Sequence, residues 1–141
     1  MKLKEINFKS DGLKTINDSD MEFKFENCNI VLIVKVDGTV IDIKKYNEEK
    51  NSVVEIEKAF NTDIDISGEI RIEYEYGFYE YTRIDMEDEF LCYKYKEDKI
   101  YINKNFNTIF IKIEISNGKS ILFDSDNNLI GFIISESIPF A

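Results

Sequence analysis

The sequence predicts an all-β chain, one domain over residues 1–141, built as an antiparallel meander of about ten short strands closed as a barrel or packed as a sandwich. Three observations carry this reading. Apolar and polar residues alternate with a period of two through most of the chain, not at the helical 3.6. Asp-Gly and Asn-Gly dipeptides stand between apolar runs, where a hairpin needs positive φ. One proline and six scattered glycines leave nothing that marks a linker.

Taken in order, Met1–Phe8 is charged and alternating, without the apolar run of a signal peptide. Residues 21–25 (MEFKF) place apolar groups at odd positions and charges at even ones. Residues 30–36 read as a more buried strand, returned by Asp37-Gly38 into 39–43 as a type I′ hairpin. The window 53–60 admits two readings. Asn51-Ser52 can cap a short helix with Glu55 in its first turn, giving an α+β alternative with one helix against a curled antiparallel sheet; the same residues also alternate as a strand. Residues 69–76 (EIRIEYEY) alternate most cleanly, and after Gly77 an extended pattern resumes through 85. Further hairpins are expected at Glu97-Asp98 and Asn117-Gly118, with a last reversal at residues 124–128 (DSDNN).

Composition removes whole classes of chemistry. The chain has 141 residues and 16.6 kDa, with 18 basic against 28 acidic side chains and a net charge of −10. With 43% hydrophobic and 13% aromatic residues it can bury a core, so its acidity does not imply disorder. Having no histidine, it cannot build a Ser-His-Asp or Cys-His centre or a His-containing metal site. Cys28 and Cys92 lack a base and read as small buried hydrophobes kept reduced in a cytoplasm. The DSDNN segment begins like a calcium loop, but Leu129 and Ser135 stand where that loop needs Gly and Glu. Its glycines form no phosphate-binding pattern, and no carboxylate pair is singled out. The longest apolar run, Ile30–Val34, falls far short of the ~20 residues of a membrane helix. Neither enzyme activity nor a cofactor or metal is expected, nor is direct nucleic-acid or membrane binding. Richness in Ile, Asn and Lys with only two Ala and two Arg suggests an AT-rich coding sequence, hence a low-GC bacterium or a mobile element.

Charge is concentrated. Residues 63–89 hold ten acids against Arg71 and Arg83, so this segment carries −8 of the total −10. Six of the eight tyrosines lie between 74 and 95. Period two places Glu69, Arg71, Glu73 and Glu75 on one strand face. Carboxylates around rigid aromatic anchors suit a basic protein, the rings giving affinity and the charges steering encounter. The expected contacts are Glu69, Glu73, Glu75, Glu80, Asp85, Glu87, Asp88 and Glu89, with Tyr79 and Tyr81 as anchors. The plainer alternative is a solvated acidic strand face that keeps the protein soluble.

The general profile is similar to that of immunity proteins of bacterial polymorphic and contact-dependent toxin systems, a likeness carried by overall character and no motif. It implies a non-enzymatic inhibitor of a cationic toxin, with a nuclease as the commonest target. A nucleic-acid mimic that blocks a restriction or CRISPR effector is the second expectation, and a barrel that holds a small ligand the third.

Overall fold

The computed structural model describes residues 1–8, 20–50, 52–74 and 83–141. Among these, regular structure is β apart from two short 3-10 turns, Glu26–Cys28 and Phe106–Thr108. The strands are β1 (Lys2–Asn7), β2 (Met21–Phe25), β3 (Ile30–Val34), β4 (Val40–Lys45), β5 (Val53–Glu55), β6 (Ile64–Ser67) and β7 (Glu69–Glu73). They continue as β8 (Arg83–Met86), β9 (Leu91–Tyr95), β10 (Asp98–Ile102), β11 (Ile111–Ser116), β12 (Lys119–Phe123) and β13 (Leu129–Ser135). A seven-stranded sheet has the order β5-β9-β10-β13-β12-β11-β6, a four-stranded sheet the order β4-β3-β2-β8, and β1 and β7 form a separate ribbon.

The alternation seen in the sequence sets the inner faces. Met21, Phe23 and Phe25 are buried while Glu22 and Lys24 between them are not. All five residues of β3 are buried, as a continuous apolar run with both faces covered should be. Between the sheets the Phe25 ring meets Phe90 at 5.2 Å and Phe132 at 5.1 Å, both edge-on. Such aromatic pairs contribute roughly 0.5–1.5 kcal/mol beyond their burial. The sheets do not close on each other; they pack as a sandwich whose interior is occupied by side chains, which leaves the closed-barrel form of the expectation, and a ligand-holding lumen with it, without support. β4 crosses the strands of the larger sheet: Asp42 reaches Lys119 on β12 at 3.0 Å, and Lys45 lies over the Tyr101 ring on β10 at 5.0 Å.

Local chemistry departs from the sequence reading at three places and decides the open choice at 53–60. At Asp37-Gly38 only Gly38 has positive φ (93°), with Lys35 N–H bonded to the Thr39 carbonyl and Gly38 N–H to that of Lys35. The loop is therefore a three-residue hairpin, not type I′, which would need positive φ at both central residues. A Cβ at Gly38 would also press into the Ile72 carbonyl oxygen. The Glu97-Asp98 turn sits one residue earlier, at Lys96-Glu97, with Lys96 left-handed (φ 53°) and Asp98 already in β10. Where a helix over 52–60 was the alternative, Val53–Glu55 is a strand pairing with β9 in register Val53↔Cys92. Adjacent β-branched valines favour the extended chain, and extension lets Ile56 and Phe60 cover the outer face of the large sheet. Finally, the antiparallel meander carries three parallel pairs, β5–β9, β6–β11 and β8–β2, each at a sheet edge.

At Gly68 the chain leaves β6 in the large sheet and enters β7 in the ribbon; a Cβ there would stand 2.9 Å from the Asn7 carbonyl oxygen. Ile72 N–H then bonds to the Gly38 carbonyl and Leu3 N–H to the Asn127 carbonyl, both at 2.8 Å. One ribbon thus ties the turns of both sheets together.

Candidate functional site

Of the ten expected contact residues, Glu75, Tyr79, Glu80 and Tyr81 lie outside the described residues. The other six fall in two places. Glu69 and Glu73 are on β7, where Glu73 is exposed opposite Lys2 and Glu69 is half-buried. Arg71 stands between them and pairs with Glu5 at 2.9 Å, so this face is not an unbroken acidic row. Asp85 is exposed on β8, opposite Lys24 across the ladder. Glu87, Asp88 and Glu89 follow it, all exposed, and lead into buried Phe90. Tyr74 packs edge-on to Phe23 at 5.2 Å and donates to the Val36 carbonyl at 3.3 Å.

The two groups flank opposite ends of β2. Tyr74, next to Glu73, reaches the β3–β4 turn, which follows the Val34 end of β3 paired to Met21. The Phe90 carbonyl, next to Glu89, accepts from Asn27 Nδ2 at 2.7 Å, just beyond the Phe25 end. Elsewhere, carboxylates are matched by cations: Asp42 with Lys119, Asp65 with Lys112, Asp124 with Lys104 and Glu136 with Lys94. Glu87, Asp88 and Glu89 have no ion-pair partner among the described residues.

The calcium-like DSDNN segment is a hairpin loop, as its lack of Gly and Glu implied. The Asp124 carboxylate accepts the backbone N–H groups of Asp126 (3.0 Å) and Asn128 (2.8 Å) and Lys104 Nζ (2.8 Å). Burial alone would raise this carboxyl, but those hydrogen bonds prevail and hold it below its ordinary value. Its oxygens are committed to the turn.

A polar cluster that sequence reasoning missed lies between the sheets. The side chains of Lys45 and Glu49 are only 5% and 4% exposed and stand 3.4 Å apart. Glu49 also accepts from Lys99 Nζ and from the Tyr101 hydroxyl, each at 2.9 Å, and Lys45 Nζ donates to the Cys28 carbonyl. Glu48 holds Lys99 from the outside at 2.9 Å. Burial would push the Glu49 carboxyl up, but the bonds from Lys99, its own amide and Tyr101, with the charge of Lys45, bring it down to about 2. Burial depresses Lys45, against the opposing pull of Glu49. It also raises the neighbouring thiols, Cys28 to about 12 and Cys92 to about 11. These thiols are therefore protonated and unreactive at neutral pH. One signal for the cluster was present: period two along β4 sends Ile43 and Lys45 to the same, inner, face. A cavity of about 270 Å³ opens beside the cluster, bounded by Lys45, Lys99, Tyr101 and the C-terminal residues Ile138 and Phe140. With each charge answered by a neighbour, the cluster fastens β4 and the 46–50 loop to β10.

No protein-family model matches this chain, and no curated protein matches it. Among the described residues no helix is long and apolar enough to cross a membrane.

Proposed function

We propose that the protein is a non-enzymatic bacterial inhibitor, an immunity protein that acts in the cytoplasm by binding and neutralising a cationic toxin domain of the nuclease type. The observation that carries this reading is the run Glu87-Asp88-Glu89, exposed and without an ionic partner among the described residues, in a molecule that pairs many of its other carboxylates with lysine. Like charges held side by side cost folding free energy and gain nothing within the chain, whereas a basic partner reverses the sign of that cost. A nuclease must present Lys and Arg to hold phosphates, and a carboxylate surface steered to that cleft occupies it at rates that fall with salt. Arg71 between Glu69 and Glu73 argues against the alternative of a long nucleic-acid-like stripe.

The test is co-purification and inhibition with the toxin domain encoded beside the gene. Binding should be tight, with an association rate that drops steeply between low and physiological salt. Reversing E87K, D88K and E89K together should slow association by one to two orders of magnitude, roughly the gain steering provides. Unchanged binding and inhibition by the triple variant would overturn the reading.

A further inference from the structure

The acidic run does not stand alone. Two residues beyond Glu89 lies Leu91, 60% exposed at the start of β9. That step is roughly 7 Å along an extended chain. Cys92 points into the core between the sheets, so Leu91 and Tyr93 take the outer face of the large sheet. Val54, 53% exposed on edge strand β5, pairs with Tyr93 and shares that outer face. From Tyr93 the apolar surface continues without a break, since its ring meets Phe106 at 4.6 Å and Phe106 stacks on Phe60 at 5.6 Å. Beside those rings is an open groove of about 510 Å³, lined by Ile56, Ala59, Phe60 and Phe106 with Glu57 and Lys58 at its margin.

We infer that this corner, Leu91 and Val54 leading into the Phe60–Phe106 groove, is the docking face for the basic partner. The inference rests on the inhibitor reading above and specifies where and how that partner is held. An exposed apolar row bordered by Glu57, Glu87, Asp88 and Glu89, with Lys58 the one cation among the described groove residues, has the anatomy of an interface: an apolar centre excludes water and a charged rim selects the partner. The occupant is a cationic protein segment that places an apolar side chain against Leu91 and Val54 and its Lys or Arg groups on the 87–89 carboxylates. Glu73, at the other end of β2, takes no part. The aromatic anchors are Phe60, Tyr93 and Phe106.

The experiment titrates the full ¹⁵N-labelled chain with two peptides, hexalysine and Lys-Leu-Lys-Val-Lys-Leu-Lys, and follows backbone amide shifts. The amphipathic peptide should shift amides at 54–60, 87–93 and 106, and bind more tightly than hexalysine. L91S, a change at an exposed position checked by its thermal melt, should weaken the amphipathic peptide about tenfold, near the value of burying one leucine. It should leave hexalysine unaffected. Shifts centred on the β1–β7 ribbon would overturn this placement, as would equal binding of the two peptides or indifference to L91S, while leaving the inhibitor reading to its own test with the toxin domain. Absence of any shift at millimolar peptide would overturn the docking face as well.

Discussion

Tyr101 on β10 donates its phenolic hydrogen to the Glu49 carboxylate across 2.9 Å, and Glu49 lies in the loop that follows β4 of the opposing sheet. A single carboxylate thereby joins the two layers of the sandwich, with Lys45 and Lys99 supplying the charge that lets it remain ionised while buried. Removing one partner from such a group strands the others. Glu49→Ala leaves Lys45 in a site where its side chain is 5% exposed, and should destabilise the fold by about 3–5 kcal/mol. Tyr101→Phe removes one hydrogen bond to a charged acceptor and should cost about 1.5–3 kcal/mol. Urea unfolding midpoints check both, and a loss under 1 kcal/mol for Glu49→Ala would refute the linking role.

The same carboxylate sets an acid limit. Its folded value of about 2 lies below the ordinary 4.5, so the stability it contributes is fully present above pH 4.5 and is lost as pH falls toward 2. The difference in unfolding free energy between the wild type and Glu49→Gln should therefore be constant from pH 7 to 5 and shrink between 4.5 and 2. A difference independent of pH across that window would show that Glu49 is not held ionised.

Asp124 fixes the last hairpin by accepting two backbone amides and Lys104. Asp124→Ala leaves turn amides without their acceptor and should destabilise by about 1–3 kcal/mol. Lys104→Ala removes a half-exposed pair and should cost under about 1 kcal/mol. The ordering of the two, measured by thermal unfolding, is the discriminating result.

Burial that raises Cys28 to about 12 and Cys92 to about 11 makes both thiols slow to react in the native state. An aromatic disulfide reagent at pH 8 should label less than about a tenth of either thiol within minutes in buffer, because burial and the scarcity of thiolate slow the attack, and both thiols in denaturant. Rapid native labelling of either would contradict their placement in the core.

Much of the sheet architecture was legible because period two and turn dipeptides are local signals. Residues 21–25 and the Asp-Gly and Asn-Gly hairpins fall where alternation and positive φ put them. What escaped was non-local. A parallel pair such as Val53↔Cys92 or Phe23↔Ile84 needs a crossover, and no turn residue announces it. The 53–60 segment stayed ambiguous because its fate depends on Tyr93 and Phe106, which lie far along the chain. For the same reason the Lys45–Glu49–Lys99–Tyr101 cluster was invisible except for the inward phase of Lys45. Charge counting found the acidic segment but not its division between β7 and the stretch after β8, which is a matter of topology.

The three parallel edge strands have a kinetic consequence. β9 to β13 can zip from adjacent hairpins, whereas β5, β6 and β8 must wait for loops to close across long stretches of sequence, so they should assemble last and open first. Amide exchange should be fastest along these margins and slowest through β10, β12 and β13. A partner seated beside β5 would clamp the chain where it breathes most, turning recognition into a brake on unfolding.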